Sequence, residues 1–152
     1  MGPDNVRREC EQLADYALKG AEKLLEEDGA FSPHALTMAD NGDIEVVFAE
    51  AGAGLGTADE DYGALIQNLR DEASNGDHRA VAVVLNTWID RKDGQGKRDA
   101  VVVQVDHREQ CSLETYRYYA IEERFGDAPA TRAVEWIGQE DGPGESLIFE
   151  PQ

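Results

Sequence analysis

The chain has 152 residues, enough for one domain with its own hydrophobic core and short for two. It carries 32 acidic and 14 basic residues, a formal net charge of −18, and 41% of its residues are hydrophobic. The negative electrostatic potential of such a chain repels phosphate backbones and anionic lipids, so we expect it to bind neither a nucleic acid nor a membrane surface. The composition predicts one soluble domain over residues 1–152.

The first residues, MGPDNVRREC, are polar and lack the apolar core of a secretory signal. No apolar run approaches the roughly 18 residues that a membrane span needs. The two cysteines, Cys10 and Cys111, are far apart in the sequence, which favours free thiols in a reduced, cytoplasmic protein. No CxxC, HExxH or EF-hand pattern occurs, so we predict no metal and no cofactor.

The first predicted element is a helix over residues 5–28. Asp4 or Asn5 can cap its start, and Gly29 is a typical end. Apolar residues recur at steps of three and four, which predicts one buried helix face. That face comprises Val6, Cys10, Leu13, Ala17, Ala21 and Leu24.

A β-hairpin is predicted next, with arms at residues 31–39 and 44–50. The arms flank Asn41-Gly42, and this dipeptide is typical of hairpin turns because both residues tolerate a positive φ. Pro33 lies near the start of the first arm, which indicates an edge or entry position.

The stretch EAGAGLGTADED follows the hairpin and resembles a phosphate-binding loop at first sight. Its three glycines match neither the dinucleotide-binding nor the P-loop spacing, and the surrounding acids oppose a phosphate. Thr57 and Glu60 instead fit a capping box at a helix start. We interpret the stretch as a mobile loop that feeds a capped helix, with a ligand loop as the alternative. The glycines are Gly52, Gly54 and Gly56.

A second helix is predicted over residues 59–74, followed by strands at 80–90, 100–107 and 112–123. Residues of the middle strand alternate between two sides, which predicts one packed face and one wetter face. The packed side carries Val101, Val103, Val105 and His107, and the wetter side carries Val102, Gln104 and Asp106.

The tail contains RAVEWIG and SLIFE, which could form one or two short strands. The predicted order is therefore αββαβββ, with one or two further strands. Short hairpin connections favour an antiparallel sheet, so we predict an α+β fold with five to seven antiparallel strands and two main helices.

The stretch DHREQC holds the first candidate site. If the strand continued, His107, Glu109 and Cys111 would share a face, and cysteine–histidine chemistry or a metal site could be imagined there. A turn near Glu109-Gln110 would break that alternation, because the next strand must return. The favoured interpretation is a structural histidine at a strand end, paired with a carboxylate.

The stretch YRYY holds the second candidate site, and it comprises Tyr116, Arg117, Tyr118 and Tyr119. Tyrosine and arginine are enriched at protein interfaces, although aromatic residues also favour strands in general. We predict that Tyr116, Arg117 and Tyr118, together with His107 and Glu109, contribute to binding. No catalytic residue is predicted.

The run AEKLLEEDGAFSPHALTMADNGDIEVV, then RAVAVVLNTWID, KRDAVVVQVDHRE and YRYY, resembles a family of small uncharacterised bacterial proteins. In that family a helix precedes a proline-containing hairpin, and a later strand begins with Asp-Ala and ends with an acid, His and Arg. A Pro-Tyr pair usually follows, where this chain has Arg117-Tyr118 or Tyr118-Tyr119, and the usual acid-Gly hairpin reads Glu109-Gln110. The resemblance spans about residues 17–120 and implies an α+β fold unit and a bacterial origin, without an activity.

Small size, strong acidity and the aromatic-arginine strand favour a non-enzymatic protein-binding module, such as an adaptor, an immunity-like factor or a regulatory protein. The acidity is explained by solubility, as in a salty host, or alternatively by a basic protein partner, and the module could be a monomer or a homodimer. One alternative is a small-ligand binder or an enzyme that uses His107 with nearby acids. Another is a nucleic-acid mimic, which requires the acids to form one continuous stripe.

Overall fold

The structure is a computed structural model, and it describes residues 3–29, 31, 33–48, 58–76, 78–90, 97–109, 111–124, 131–144 and 148–149. Its elements follow one another in an α-β-β-α-β-β-β-β order. They are α1 (Pro3–Asp28), β1 (His34–Met38), β2 (Ile44–Phe48), α2 (Ala58–Ser74), β3 (Ala80–Asp90), β4 (Lys97–His107), β5 (Cys111–Arg124) and β6 (Thr131–Pro143).

The six described strands form one sheet in the order β2-β1-β3-β4-β5-β6, and every neighbouring pair is antiparallel. The predicted α+β fold, with two main helices and five to seven antiparallel strands, is confirmed. The predicted hairpin is also confirmed: its turn places Gly42 at φ 92°, a conformation that glycine adopts without a steric cost.

Helix α1 covers one face of the sheet, mainly over β3 to β6. Its buried stripe follows the predicted period except at the last position, where Leu25 replaces Leu24. Since 3.6 residues make a turn, the step from Ala21 to Leu25 keeps the stripe aligned with the sheet. Leu24 instead lies half-buried at the side of the helix.

Helix α2 covers the opposite face, so the molecule has three layers. Its residues Leu65, Ile66 and Leu69 are buried against β1 and β3. The same cluster includes Ile148 and Phe149, which approach from the far end of the chain. The second core is therefore built from four separate parts of the sequence.

The prediction that one side of β4 is in contact with water is wrong. On that side Val102 and Asp106 are buried (4% and 3% exposed) and Gln104 is half-buried. Asp106 accepts the backbone N–H groups of Ile148 and Phe149, each at 2.9 Å. A tail that folds back over this side accounts for its burial.

The tail differs from the prediction in a second respect. RAVEWIG is part of one long strand, β6, which pairs with β5 through a register shift at Tyr118/Tyr119. Ile148 and Phe149, the described part of SLIFE, lie in a bend rather than a strand. Neither of the two helices has the length and apolar character that a membrane crossing requires, within the ranges described above.

Candidate functional site

A groove of about 810 Å³ lies between α1 and the β1–β2 hairpin. It exists because α1 lies mainly over β3 to β6, reaches β1 only in part and leaves the same face of the edge strand β2 exposed at Val46. Tyr16 on α1 and Val46 on β2 are each 55% exposed, the largest exposures among the large apolar side chains that the structure describes. The apolar lining further includes Leu24, Leu36 and Ile44.

The α1 wall of the groove follows a stripe beside the buried one. Tyr16, Gly20 and Leu24 are spaced by four residues, so they lie above one another on the helix surface. Gly20 contributes no side chain, and a methyl group placed there would meet no atom within 4 Å. The glycine therefore keeps the middle of the groove open.

The β2 wall of the groove is the edge strand of the sheet. Edge strands present unpaired backbone N–H and C=O groups to their surroundings. Ile44 and Val46 pair with Met38 and Leu36 of β1, whose side chains belong to the core under α1. Since paired residues share a face, both β2 side chains point into the groove.

The charges of the groove differ from those of the whole molecule. Lys19 and Lys23 line it, and the chain has only four lysines. Lys19 pairs with Asp15 at 3.2 Å, whereas Lys23 has no ion-pair partner among the described residues. Two acids, Glu27 and Asp43, also line the groove, so its ionic side chains balance in a chain of net charge −18.

A second cavity, of about 220 Å³, lies between α1 and strands β4 to β6. Thr115, Arg117 and Asp141 line its wall on β5 and β6. Thr115 donates to Asp141, and Arg117 donates to Gln139, which lies beside the cavity and in turn donates to Asp141. The Nε of Arg117 is buried and has no hydrogen-bond partner among the residues that the structure describes. This cavity could hold a small molecule that offers the guanidinium an acceptor.

His107 lies at the end of β4 and is fully buried, and it lines neither the groove nor the second cavity. Its Nδ1 accepts the backbone N–H of Glu109 at 3.0 Å, so the ring proton lies on Nε2. The Nε2 is 3.4 Å from Oε1 of Glu9, whose other oxygen accepts from Arg79 at 2.9 Å. This is the geometry of a structural histidine paired with a carboxylate.

The other predicted binding residues do not form one surface. Glu109 is exposed in the turn after β4. Arg117 points to the α1 side of the sheet, where it lines the second cavity. Tyr116 and Tyr118 alternate with it on β5 and lie on the opposite side, where Tyr116 donates to Glu114 and Tyr118 donates to Glu140 at 3.0 Å.

The predicted mobile loop, with Gly52, Gly54 and Gly56, lies outside the described residues, and so does Thr57 of the predicted capping box. Both stay predictions. The part of the chain that the structure describes contains no group of three or more His, Cys, Asp or Glu side chains arranged to hold a metal ion.

The two cysteines are free and differ in environment. Cys10 is fully buried on α1, and its burial, a hydrogen bond with Cys111 and nearby carboxylates raise the pKa of its thiol far above the usual range. Because the thiolate is the reactive form, we expect Cys10 to resist a thiol reagent such as DTNB in the native protein. Half-buried Cys111 should account for the native reaction, and guanidinium should release a second thiol. If two thiols react rapidly with DTNB in the native protein, or if one still reacts rapidly in native Cys111→Ser, this expectation is contradicted.

The groove residues belong to no sequence motif, unlike the histidine, glycine and tyrosine-rich stretches. One signal was present: Tyr16, Gly20 and Leu24 form a second period-four stripe beside the core stripe of α1. Comparisons with protein family models, with curated proteins and with solved structures found no match. The resemblance to small bacterial proteins stays a prediction, and the case for a function depends on the geometry above.

Proposed function

We propose that this protein is a non-enzymatic protein-binding module whose partner docks in the groove between α1 and the β1–β2 hairpin. The observation that carries the proposal is the pairing of an edge strand with two large apolar side chains, Tyr16 and Val46, that are both 55% exposed. Apolar surface beside unpaired backbone groups is typical of surfaces that bind other proteins. An adaptor, an immunity-like factor or a regulatory protein would use such a site.

The net charge supports a basic partner protein at longer range. A field from a charge of −18 accelerates the approach of a basic protein and repels acidic ones. Steering of this kind acts on the whole partner, whereas the groove selects the segment that enters it. We also propose a cytoplasmic location, which agrees with two cysteines that are both free.

The alternatives receive less support from the geometry. A ligand or substrate cannot reach His107 without a rearrangement, because its side chain is 0% exposed. The second cavity, with the unpartnered Nε of Arg117, is the better place for a small ligand. Described acids occur on both helices and on β6, a placement that gives nucleic-acid mimicry no support.

The groove can be blocked without removing any contact. Gly20→Gln adds a helix-favouring side chain where a methyl group meets nothing, so the variant should fold and gain about 0.5–1 kcal/mol. The new side chain occupies the groove, and we expect at least tenfold less partner in affinity capture from the native host. Quantitative mass spectrometry of the captured proteins measures the loss.

Gly63→Gln is the matched control. Gly63 is exposed on α2, and a methyl group there also meets no atom within 4 Å. Both variants gain the same helix propensity and leave the net charge unchanged, but only one lies in the groove. Equal capture by both variants and the wild type would refute the docking site.

A further inference from the structure

We propose that the groove takes up an extended segment of a partner protein. The segment adds to the sheet as a further strand beside β2. It carries apolar side chains at alternate positions and acidic residues at its ends. The inference rests on the proposed function and adds the binding mode and the chemistry of the segment. Three features carry it: the backbone of β2, the side chains around it and the ammonium group of Lys23.

The backbone feature follows from the hairpin turn. Ala39 donates its N–H to the carbonyl of Asp43 at 2.9 Å, so these two residues form a hydrogen-bonded pair. Antiparallel pairs alternate between hydrogen-bonded and non-hydrogen-bonded, and Met38↔Ile44 and Leu36↔Val46 are pairs of the second kind. The N–H and C=O groups of Ile44 and Val46 therefore point away from β1, toward the outer edge of the described sheet.

The side chains at these two positions face the groove. An added strand that bonds to Val46 would place every second side chain on the same face of the sheet as Val46, at the outer rim of the groove. These side chains would extend the apolar wall formed by Val46, which faces Tyr16 across the groove. Apolar side chains at alternate positions match this lining.

The ionic side chains of the groove balance in number, and among them Lys23 offers a place for an acidic residue of the segment. Lys23 is exposed at the wall of the groove and has no ion-pair partner among the described residues, so a carboxylate on the segment can pair with it without displacing another acid. Asp43, on the hairpin side, already accepts from the side-chain amide of Asn41 at 3.1 Å. A basic segment would place a second cation beside Lys23.

The opposite edge of the sheet is a poorer site. Trp136 of β6 is 36% exposed, packs edge-on against Tyr119 and donates to Glu22 on α1 at 3.1 Å. The strand also carries Glu135, Glu140 and Asp141, and charges on an edge strand discourage pairing. Of the two edges, β2 is the one that combines apolar side chains with a groove.

Two synthetic peptides test the chemistry of the segment. Both contain Ser-Val-Thr-Val-Thr-Val-Ser, one with Glu and the other with Lys at each end, and alternate N-methylation on one edge prevents self-pairing. We expect the Glu peptide to bind the wild type about threefold more tightly in fluorescence anisotropy, a modest preference because an exposed ion pair contributes little and the net charge favours the Lys peptide. The Lys23→Glu variant should bind the Lys peptide more tightly than the Glu peptide. Arg8→Glu makes the same charge change at an exposed α1 position outside the groove, and this variant should still prefer the Glu peptide.

Two variants of one residue test the added strand. Val46→Ala and Val46→Pro both remove the isopropyl group, but only proline removes the edge-facing N–H. Since that N–H makes no ladder bond with β1, the proline variant should keep the fold, which circular dichroism checks. We expect Val46→Pro to bind the Glu peptide at least tenfold more weakly than Val46→Ala, and the peptide to protect the Val46 amide of the wild type from hydrogen exchange.

Each alternative result of these experiments would contradict a specific part of the proposal. Tighter binding of the Lys peptide would refute the acidic segment, and equal binding by the two Val46 variants with an unprotected amide would refute strand addition. If neither peptide binds while Gly20→Gln still abolishes partner capture, the groove remains the docking site and this binding mode is wrong. A wild-type dimer in sedimentation that Val46→Pro converts to a monomer would show that a second copy of the chain takes the place we assign to a partner.

Discussion

Asp106→Ala is expected to lower the free energy of unfolding by about 3 kcal/mol, because it leaves buried donors without an acceptor. One carboxylate oxygen accepts the hydroxyl of Ser112 at 2.8 Å, and the other accepts the backbone N–H groups of Ile148 and Phe149. Asp106 is 3% exposed, so water cannot take its place. For a chain of this size the loss corresponds to a fall in Tm of roughly 6–12 °C.

The substitution should first release the segment around Ile148 and Phe149, under conditions in which the rest of the protein stays folded. Ile148 and Phe149 fill the core between α2 and the sheet, and Asp106 fixes them there by their backbone. We therefore expect faster hydrogen exchange at these two amides under native conditions, while amides of β3 keep their protection. Urea unfolding measures the stability, and exchange monitored by NMR measures the release.

Two variants make the test specific. Asp106→Asn should lose only about 1 kcal/mol, since its amide oxygen can accept the two N–H groups and the Ser112 hydroxyl can rotate to accept from its NH₂. Asp99→Ala, an exposed position on the same strand, should stay within about 0.5 kcal/mol of the wild type. Unchanged exchange at Ile148 and Phe149 in Asp106→Ala would show that Asp106 does not fix the tail.

Local patterns in the sequence predicted most of the fold. The α1 period, the Asn41-Gly42 turn and the apolar runs of β3 and β4 each depend on neighbours within a few residues. The errors concern residues whose partners are distant in the sequence. In the sequence Asp106 is one polar residue in a strand, and its burial depends on Ile148 and Phe149, which fold back onto it. The helical period alone does not decide whether Leu24 or Leu25 is buried.

The candidate site was harder to predict for the same reason. Tyr16 and Val46 are separated by a turn, a strand and a second turn, and neither belongs to a motif. Their exposure depends on how α1 lies across the sheet, which the packing of its other face on β3 to β6 decides. The tyrosines of β5, by contrast, form a conspicuous stretch, but strand alternation places Tyr116 and Tyr118 on the opposite side of the sheet from Arg117.

Glu9→Gln is expected to lower the free energy of unfolding by about 2 kcal/mol at pH 7. The Glu9 side chain is 15% exposed and lies between two donors, Nη1 of Arg79 at 2.9 Å and Nε2 of His107 at 3.4 Å. The His107 proton is held on Nε2, because Nδ1 accepts from Glu109. A glutamine must therefore turn its NH₂ toward one of the two donors, whichever way it is rotated.

The loss should depend on pH in a defined direction. Desolvation is the largest single influence on Glu9 and raises its pKa, but the hydrogen bonds and charges of Arg79 and His107 together hold the pKa below its ordinary value of 4.5. A carboxylate with a lowered pKa in the folded state stabilises the protein above its ordinary pKa, and this contribution is lost as the pH falls through the lowered value. The stability difference between the wild type and Glu9→Gln should thus be constant near neutrality, shrink below about pH 4.5 and vanish in stronger acid.

Glu11→Gln is the control that separates this effect from general acid sensitivity. Glu11 lies on the same helix, its side chain is 60% exposed, and it pairs with Arg7 at 3.0 Å. Exposed pairs of this kind contribute little, so we expect a change within about 0.5 kcal/mol at every pH. Urea unfolding from pH 3 to pH 8 measures both variants against the wild type. A Glu9→Gln difference that persists unchanged in acid would show that lost packing, rather than the carboxylate charge between Arg79 and His107, sets its cost.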